Sequence, residues 1–111
     1  MANRFQQAMR LMRNHDAQTQ EDGFHQLRPY AAQHLDELIT EFNNETAHGL
    51  RCWLLELIGE AHSEQALPVL VEQLHGDDES LRSWAVRGLE KLDTRPARRH
   101  IHQARATGLI P

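Results

Sequence analysis

A single cysteine cannot close an internal disulfide, so the chain has to hold together by packing alone. Cys52 stands beside Trp53 in a helical pattern and reads as a reduced, packing residue of a cytoplasmic protein. No apolar run is long enough to cross a bilayer; Leu67-Pro68-Val69-Leu70-Val71 is among the longest. The opening residues Met1 to Gln6 lack the charged-then-apolar order of a secretory signal. Glycine-rich phosphate loops, nucleophile elbows and Ser–His–Asp arrangements are missing, and the chain is therefore expected to have no catalytic activity. Eight histidines invite a metal, but only His100 and His102 are close together. Positions i and i+2 of a helix point about 200° apart and cannot share an ion, so neither metal nor cofactor is expected.

Basic residues are scarce until late in the chain. Residues 1–80 hold five Arg and no Lys against fourteen Asp and Glu, a balance of -9. Residues 81–111 hold seven Lys and Arg against Glu90 and Asp93, a balance of +5. Opposite poles of this kind can steer a charged partner to one end.

What the chain does have is a repeat. Leu50-Arg51-Cys52-Trp53 returns as Leu81-Arg82-Ser83-Trp84, 31 residues later. Leu50, Trp53, Leu54, Leu57 and Ile58 lie at helical spacing, as do Leu81, Trp84, Ala85, Leu89 and Leu92. A different stripe precedes each copy: Leu35, Leu38, Ile39 and Phe42, then Leu67, Leu70, Val71 and Leu74. Two helices alternating along the chain, each burying one face, predict a stack of helical hairpins. The two tryptophans occupy equivalent places in the apolar stripe and are expected in the core rather than in an aromatic ligand cage.

Local signals divide the chain. Phe5, Ala8, Met9 and Met12 describe an opening amphipathic helix, and Asp16 to Gln20 is expected to break it. A short helix near Asp22–Arg28 follows, weakened by Gly23, and Pro29 then sits in the first turn of a helix to about Phe42. A helix over Leu50–Ile58 ends in a hairpin turn at Gly59 to Ser63, and Pro68 lies early in the next. Asp77 or Asp78 caps Leu81–Leu92, and a last helix runs from Asp93-Thr94-Arg95-Pro96 to about Ala106, where Gly108 stops it.

Residues Glu64 to Leu74 have an early proline, Asp77-Asp78 form an acidic turn, and Leu81-Arg82 open the next helix. This order resembles the compact bacterial HEAT repeat, most specifically over residues 49–92. The resemblance implies an all-α fold, a right-handed α-solenoid of about three helical hairpins with an extra N-terminal helix, and one domain over residues 1–111. It also implies that Arg51 and Arg82 are ladder residues bonding acidic turn groups such as Asp77 or Asp78.

In HEAT-like stacks the second helix of each hairpin lines the concave side. On the pairing expected here, that side carries Glu37, Thr40 and Glu41, then Val69, Glu72 and Gln73, then His100 and Gln103. It is acidic at one end, which suits a basic protein and repels nucleic acid. The carboxylates Asp36, Glu37, Glu41 and Glu45 read as a solvated flank, not an acid–base pair. In the last helix Arg95, Arg98, His102 and Arg105 form a basic stripe. That stripe reads as the wet outer face of a capping repeat, with a phosphate-binding or acidic-protein site as the alternative. Small HEAT-like proteins of bacteria are often toxin-neutralising immunity proteins or adaptors, so the expected function is non-catalytic binding of a basic protein partner. The alternatives are a nucleic-acid-binding HEAT protein that uses the basic end and a subunit of a bilin-lyase-type complex.

Overall fold

The computed structural model describes residues 3–111. Among these residues the structure is all helical. The helices are α1 (Arg4–Met12), α2 (Ala17–Leu27), α3 (Leu35–Asn44), α4 (His48–Glu60), α5 (Leu67–Leu74), α6 (Glu79–Leu92) and α7 (Arg95–Ala106). Short 3₁₀ turns at Arg28–Tyr30 and Glu64–Ala66 lead into the segments before α3 and α5.

Most helix starts follow from side-chain capping of the first free N–H groups. The Asn3 side chain accepts from Gln6 N, Asp78 from Leu81 N at 2.9 Å and Thr94 from Ala97 N at 3.3 Å. Asp16 does the same for Thr19 N. The polar stretch expected to break the chain is therefore the cap and first turn of α2, which starts earlier than its apolar residues indicate. Gly23 also departs from expectation. A Cβ there would lie 2.6 Å from the Ala8 carbonyl oxygen, so its missing side chain lets α1 and α2 pack closely. Pro29 sits in the 3₁₀ turn rather than in α3, which begins only at Leu35, after His34 leaves helical geometry. At the other end Gly108 takes φ of +78°, and Leu109 and Ile110 fold back to donate to the Ala104 carbonyl.

Close packing joins α1 with α2, α3 with α4, and α5 with α6, and α6 also lies tightly along α4. By contrast α4 and α5, on either side of the expected hairpin turn, touch little. The pairing is thus one helix out of step with the sequence expectation. The reason is at Gly59 and Gly88: a Cβ on Gly59 would stand 2.9 Å from Gly88 Cα, so two bare backbones meet where α4 crosses α6. The chain measures 46 × 24 × 21 Å with a radius of gyration of 14.0 Å. A compact chain of this length is expected at about 13 Å.

The buried apolar residues form one cluster from Phe5 to Ile110. Its centre is α4, where Leu54, Leu55, Leu57 and Ile58 are all inaccessible to solvent because α3 and α6 pack against different sides of the helix. Trp53 and Trp84 do occupy matching places, but they are half-buried at the margin of this core instead of inside it. The larger indole rings span the boundary while the leucines fill the interior. In α7 the inner face is Ala97, Ile101 and Ala104. The ladder expectation also needs correction. Arg82 Nη1 donates to the Gly76 carbonyl at 2.9 Å, closing the end of α5, and the Arg51 guanidinium lies 4.2 Å from the Phe42 ring centroid. Polar contacts between copies are instead His48 Nε2 with Asp78 Oδ2, at 2.9 Å, and Lys91 Nζ with Glu60 Oε1.

Candidate protein-binding face

The residues expected to meet a partner are dispersed. On α3, Glu37 accepts from His34 Nδ1 at 2.7 Å, Thr40 Oγ1 donates to the Asp36 carbonyl, and Glu41 accepts from Arg13 Nη2 at 2.7 Å. These three line a shallow groove of about 300 Å³ with Phe5 and Gln6 of α1. The acid there is partly answered within the chain, because the bonded Glu41 and Glu45 raise the Arg13 pKa against the opposing effect of burial. On α5, Glu72 is exposed and Gln73 half-buried, but Val69 is a core residue at 7% exposure and cannot face a partner. On α7, His100 is half-buried with its ring 6.4 Å from that of His75, and Gln103 is exposed.

The basic stripe is exposed, though two of its members are drawn into local contacts. Arg98 Nη1 donates to the Asp93 carbonyl and to Asp93 Oδ1, at 2.7 and 3.0 Å. Arg105 Nε donates to the Pro111 carbonyl at 3.2 Å, tying down the returning tail. Arg95 and His102 extend into solvent on the same helix.

A second face was missed by the sequence reading because it depends on α6 lying beside α4. Each tryptophan lines an opening at the surface beside its own helix. Trp53 packs on Phe24 of α2, ring centroids 5.3 Å apart, and with Leu50, His15 and Gln20 lines an opening of about 560 Å³. Trp84 lines a groove of about 420 Å³ with Glu56 and Glu60 of α4, Arg28, and Arg87, Glu90 and Lys91 of α6. The repeat of Trp at a 31-residue spacing is the one signal of this face in the sequence, and an apolar stripe alone does not separate it from core.

Charges in the α4–α6 groove are unevenly answered. Glu60 Oε1 is shared by Lys91 Nζ and Arg28 Nη2. Burial disfavours its charged form, but these two cations outweigh burial and hold the carboxyl below its ordinary pKa. Arg87 lies over the Trp84 ring, its Cζ 4.8 Å from the centroid. Glu56, one turn before Glu60, is half-buried and makes no direct hydrogen bond or ion pair among the described residues. Burial pushes its carboxyl above the ordinary value, only partly offset by the charges of Arg28, Lys91 and Arg87. A half-desolvated carboxylate beside an aromatic ring is a place where an added cation gains energy.

Cys52, His48 and Asp78 also come together, in an order that could suggest a nucleophile. Cys52 Sγ is 3.8 Å from His48 Nε2, but the same nitrogen faces Asp78 at 2.9 Å. A relay needs the acid and the thiol on opposite ring nitrogens. Burial also raises the thiol pKa, which leaves Cys52 protonated near neutrality. Among the described residues no three His, Cys, Asp or Glu side chains assemble as a metal-binding set, and no helix is long and apolar enough to cross a membrane. Compared with protein-family models, with curated proteins and with solved structures, the chain gives no match.

Proposed function

We propose that this chain is a HEAT-like, right-handed α-solenoid acting as a non-catalytic protein-binding module for a basic partner. The solenoid reading is supported by three successive helix pairs followed by α7, by the lengthwise packing of α6 on α4, and by a long axis of 46 Å against 24 and 21 Å. With α1/α2, α3/α4 and α5/α6 as the pairs, the second helices are α2, α4 and α6. The partner-facing surface is then the face bearing Trp53 and Trp84, in place of the α3–α5–α7 surface that the other pairing selects.

One observation carries the functional reading: Glu56, half-buried and without an ion pair among the described residues, lies in the same groove as Trp84. Tryptophan is among the side chains enriched at the residues that carry most protein–protein binding energy. The acidic balance of residues 1–80 would steer a basic protein toward the α2–α4 part of this face, while the Trp84 groove itself is lined by three carboxylates and three cations. A toxin-neutralising immunity protein or a small adaptor is the kind of role the HEAT resemblance implies, and both need a surface rather than a reaction centre.

The test is affinity capture from the native host with three forms of the chain, each checked for folding by circular dichroism. A basic protein retained by the wild type and by Glu37→Lys/Glu41→Lys, but lost with Glu56→Lys/Glu90→Lys, is the expected result. Loss with the α3 pair and retention with the α4–α6 pair would return the site to the α3 surface.

A further inference from the structure

Resting on that binding reading, we infer that the α4–α6 groove is a receptor for a single arginine side chain of the partner, stacked on Trp84 and paired with Glu56. The groove, at about 420 Å³, readily admits a long side chain. Its elements match a guanidinium. The flat cation stacks on an indole face and its fork bonds a carboxylate with two parallel N–H groups. The molecule already makes half of this arrangement with its own residue, since Arg87 covers the Trp84 ring. Arg87 lies three residues after Trp84 on the same helix, and no hydrogen bond or ion pair among the described residues joins it to Glu56. It therefore fills the aromatic part of the site and leaves the acidic part open.

The neighbouring cations act on Glu56 through space, but none pairs with it directly among the described residues. Arg28 and Lys91 both converge on Glu60, one turn further along α4. Glu60 thus acts as the sink for the resident cations, and Glu56 is left to an incoming one. An arginine from a partner would displace Arg87 from the ring and add the bidentate pair that Arg87 lacks. Lysine, a point charge without a planar face, fits less well. Arg87 in this account is a gate: it keeps the indole covered while the groove is empty and competes with the ligand.

Competition gives a test that a general attraction between an acidic chain and a basic peptide would not pass. The probes are three blocked Gly-X-Gly peptides with X as arginine, lysine or citrulline, titrated into the full chain. The readout is the indole N–H signals of Trp84 and Trp53. The arginine peptide is expected to move the Trp84 signal, with Trp53 as an internal control; lysine should act more weakly and neutral citrulline not at all. Glu56→Gln should weaken arginine binding about tenfold, the loss of a hydrogen bond to a charged group. Arg87→Ala should strengthen it roughly two- to fivefold, the worth of one exposed cation–π contact. Glu72→Gln, the same change of charge on α5, should leave it unchanged.

An unmoved Trp84 signal, equal binding of citrulline, or weaker binding by Arg87→Ala would overturn the arginine receptor. So would an equal effect of Glu56→Gln and Glu72→Gln. Because the capture experiment reads a whole protein partner, these outcomes would leave the proposed binding function standing. Loss of both would end both.

Discussion

Replacing Gly59 with alanine sets two opposed effects against each other, and the structure says which wins. In an open helix the change favours folding by about 1 kcal/mol, because alanine loses less backbone entropy. Here the added Cβ would stand 2.9 Å from Gly88 Cα. Carbon atoms in contact prefer roughly 3.5–4.0 Å, so the shortfall is about 0.6–1 Å. The obstacle is backbone, which no rotamer change can move, and α6 must retreat along its length. Overpacking of this kind costs about 1–3 kcal/mol, and a backbone obstacle belongs in the upper half of that range. The net expectation is a loss of about 1–2 kcal/mol, or a fall in Tm of about 4–8 °C for a chain of this size. Gly49 is the control, since nothing lies within 4 Å of its Cβ position and Gly49→Ala should stabilise by about 0.4–1 kcal/mol. Both variants are compared by thermal melts in far-ultraviolet circular dichroism and by urea titration. A Gly59→Ala protein that melts at or above the wild-type temperature would show that α4 and α6 do not approach this closely, and the groove between them would go with that approach.

Three further expectations follow from burial, charge and the C-terminal contacts. Leu57→Ala should cost about 3 kcal/mol or more because Leu57 is inaccessible at the centre of α4, whereas Trp84→Ala, at a half-buried margin, should cost about 2 kcal/mol. Chemical denaturation that ranks Trp84 above Leu57 would contradict this placement. Asp78 is held below its ordinary pKa of 3.8, first by the Leu81 N–H it caps and then by His48. A depressed folded pKa adds stability that is complete above the unfolded value and lost as pH falls through the folded one. The Tm difference between wild type and Asp78→Asn should therefore shrink as pH drops below 3.8, and a difference that grew in acid would be the wrong sign. Arg98→Gln with Arg105→Gln should change stability by no more than about 0.5 kcal/mol, since both contacts are exposed. Fluorescence anisotropy should find no salt-dependent oligonucleotide binding for the double variant to remove; if such binding appears and then disappears with the substitutions, function moves to α7.

Much of the secondary structure was legible because its causes are local. The i, i+3, i+4 spacing of Leu35, Leu38, Phe42 or of Leu81, Ala85, Leu89 is satisfied by one helix regardless of what it packs against. Caps such as Asp78 and Thr94 reach only three residues ahead, and Gly108 takes its left-handed turn without help from distant groups. The start of α2 escaped because its first turn, Ala17 to Gln20, has no apolar stripe, although Asp16 was a readable cap. Tertiary structure alone decided the rest. Period says how many faces a helix buries, but not which neighbour covers each one. That choice was made by two glycines 29 positions apart, whose meeting lays α6 along α4 and separates α4 from α5. With α6 beside α4, Trp84 and the half-buried Glu56 line one groove. A carboxylate's exposure depends on helices that arrive from elsewhere in the chain, so its character as a site could not be read from its neighbours in sequence.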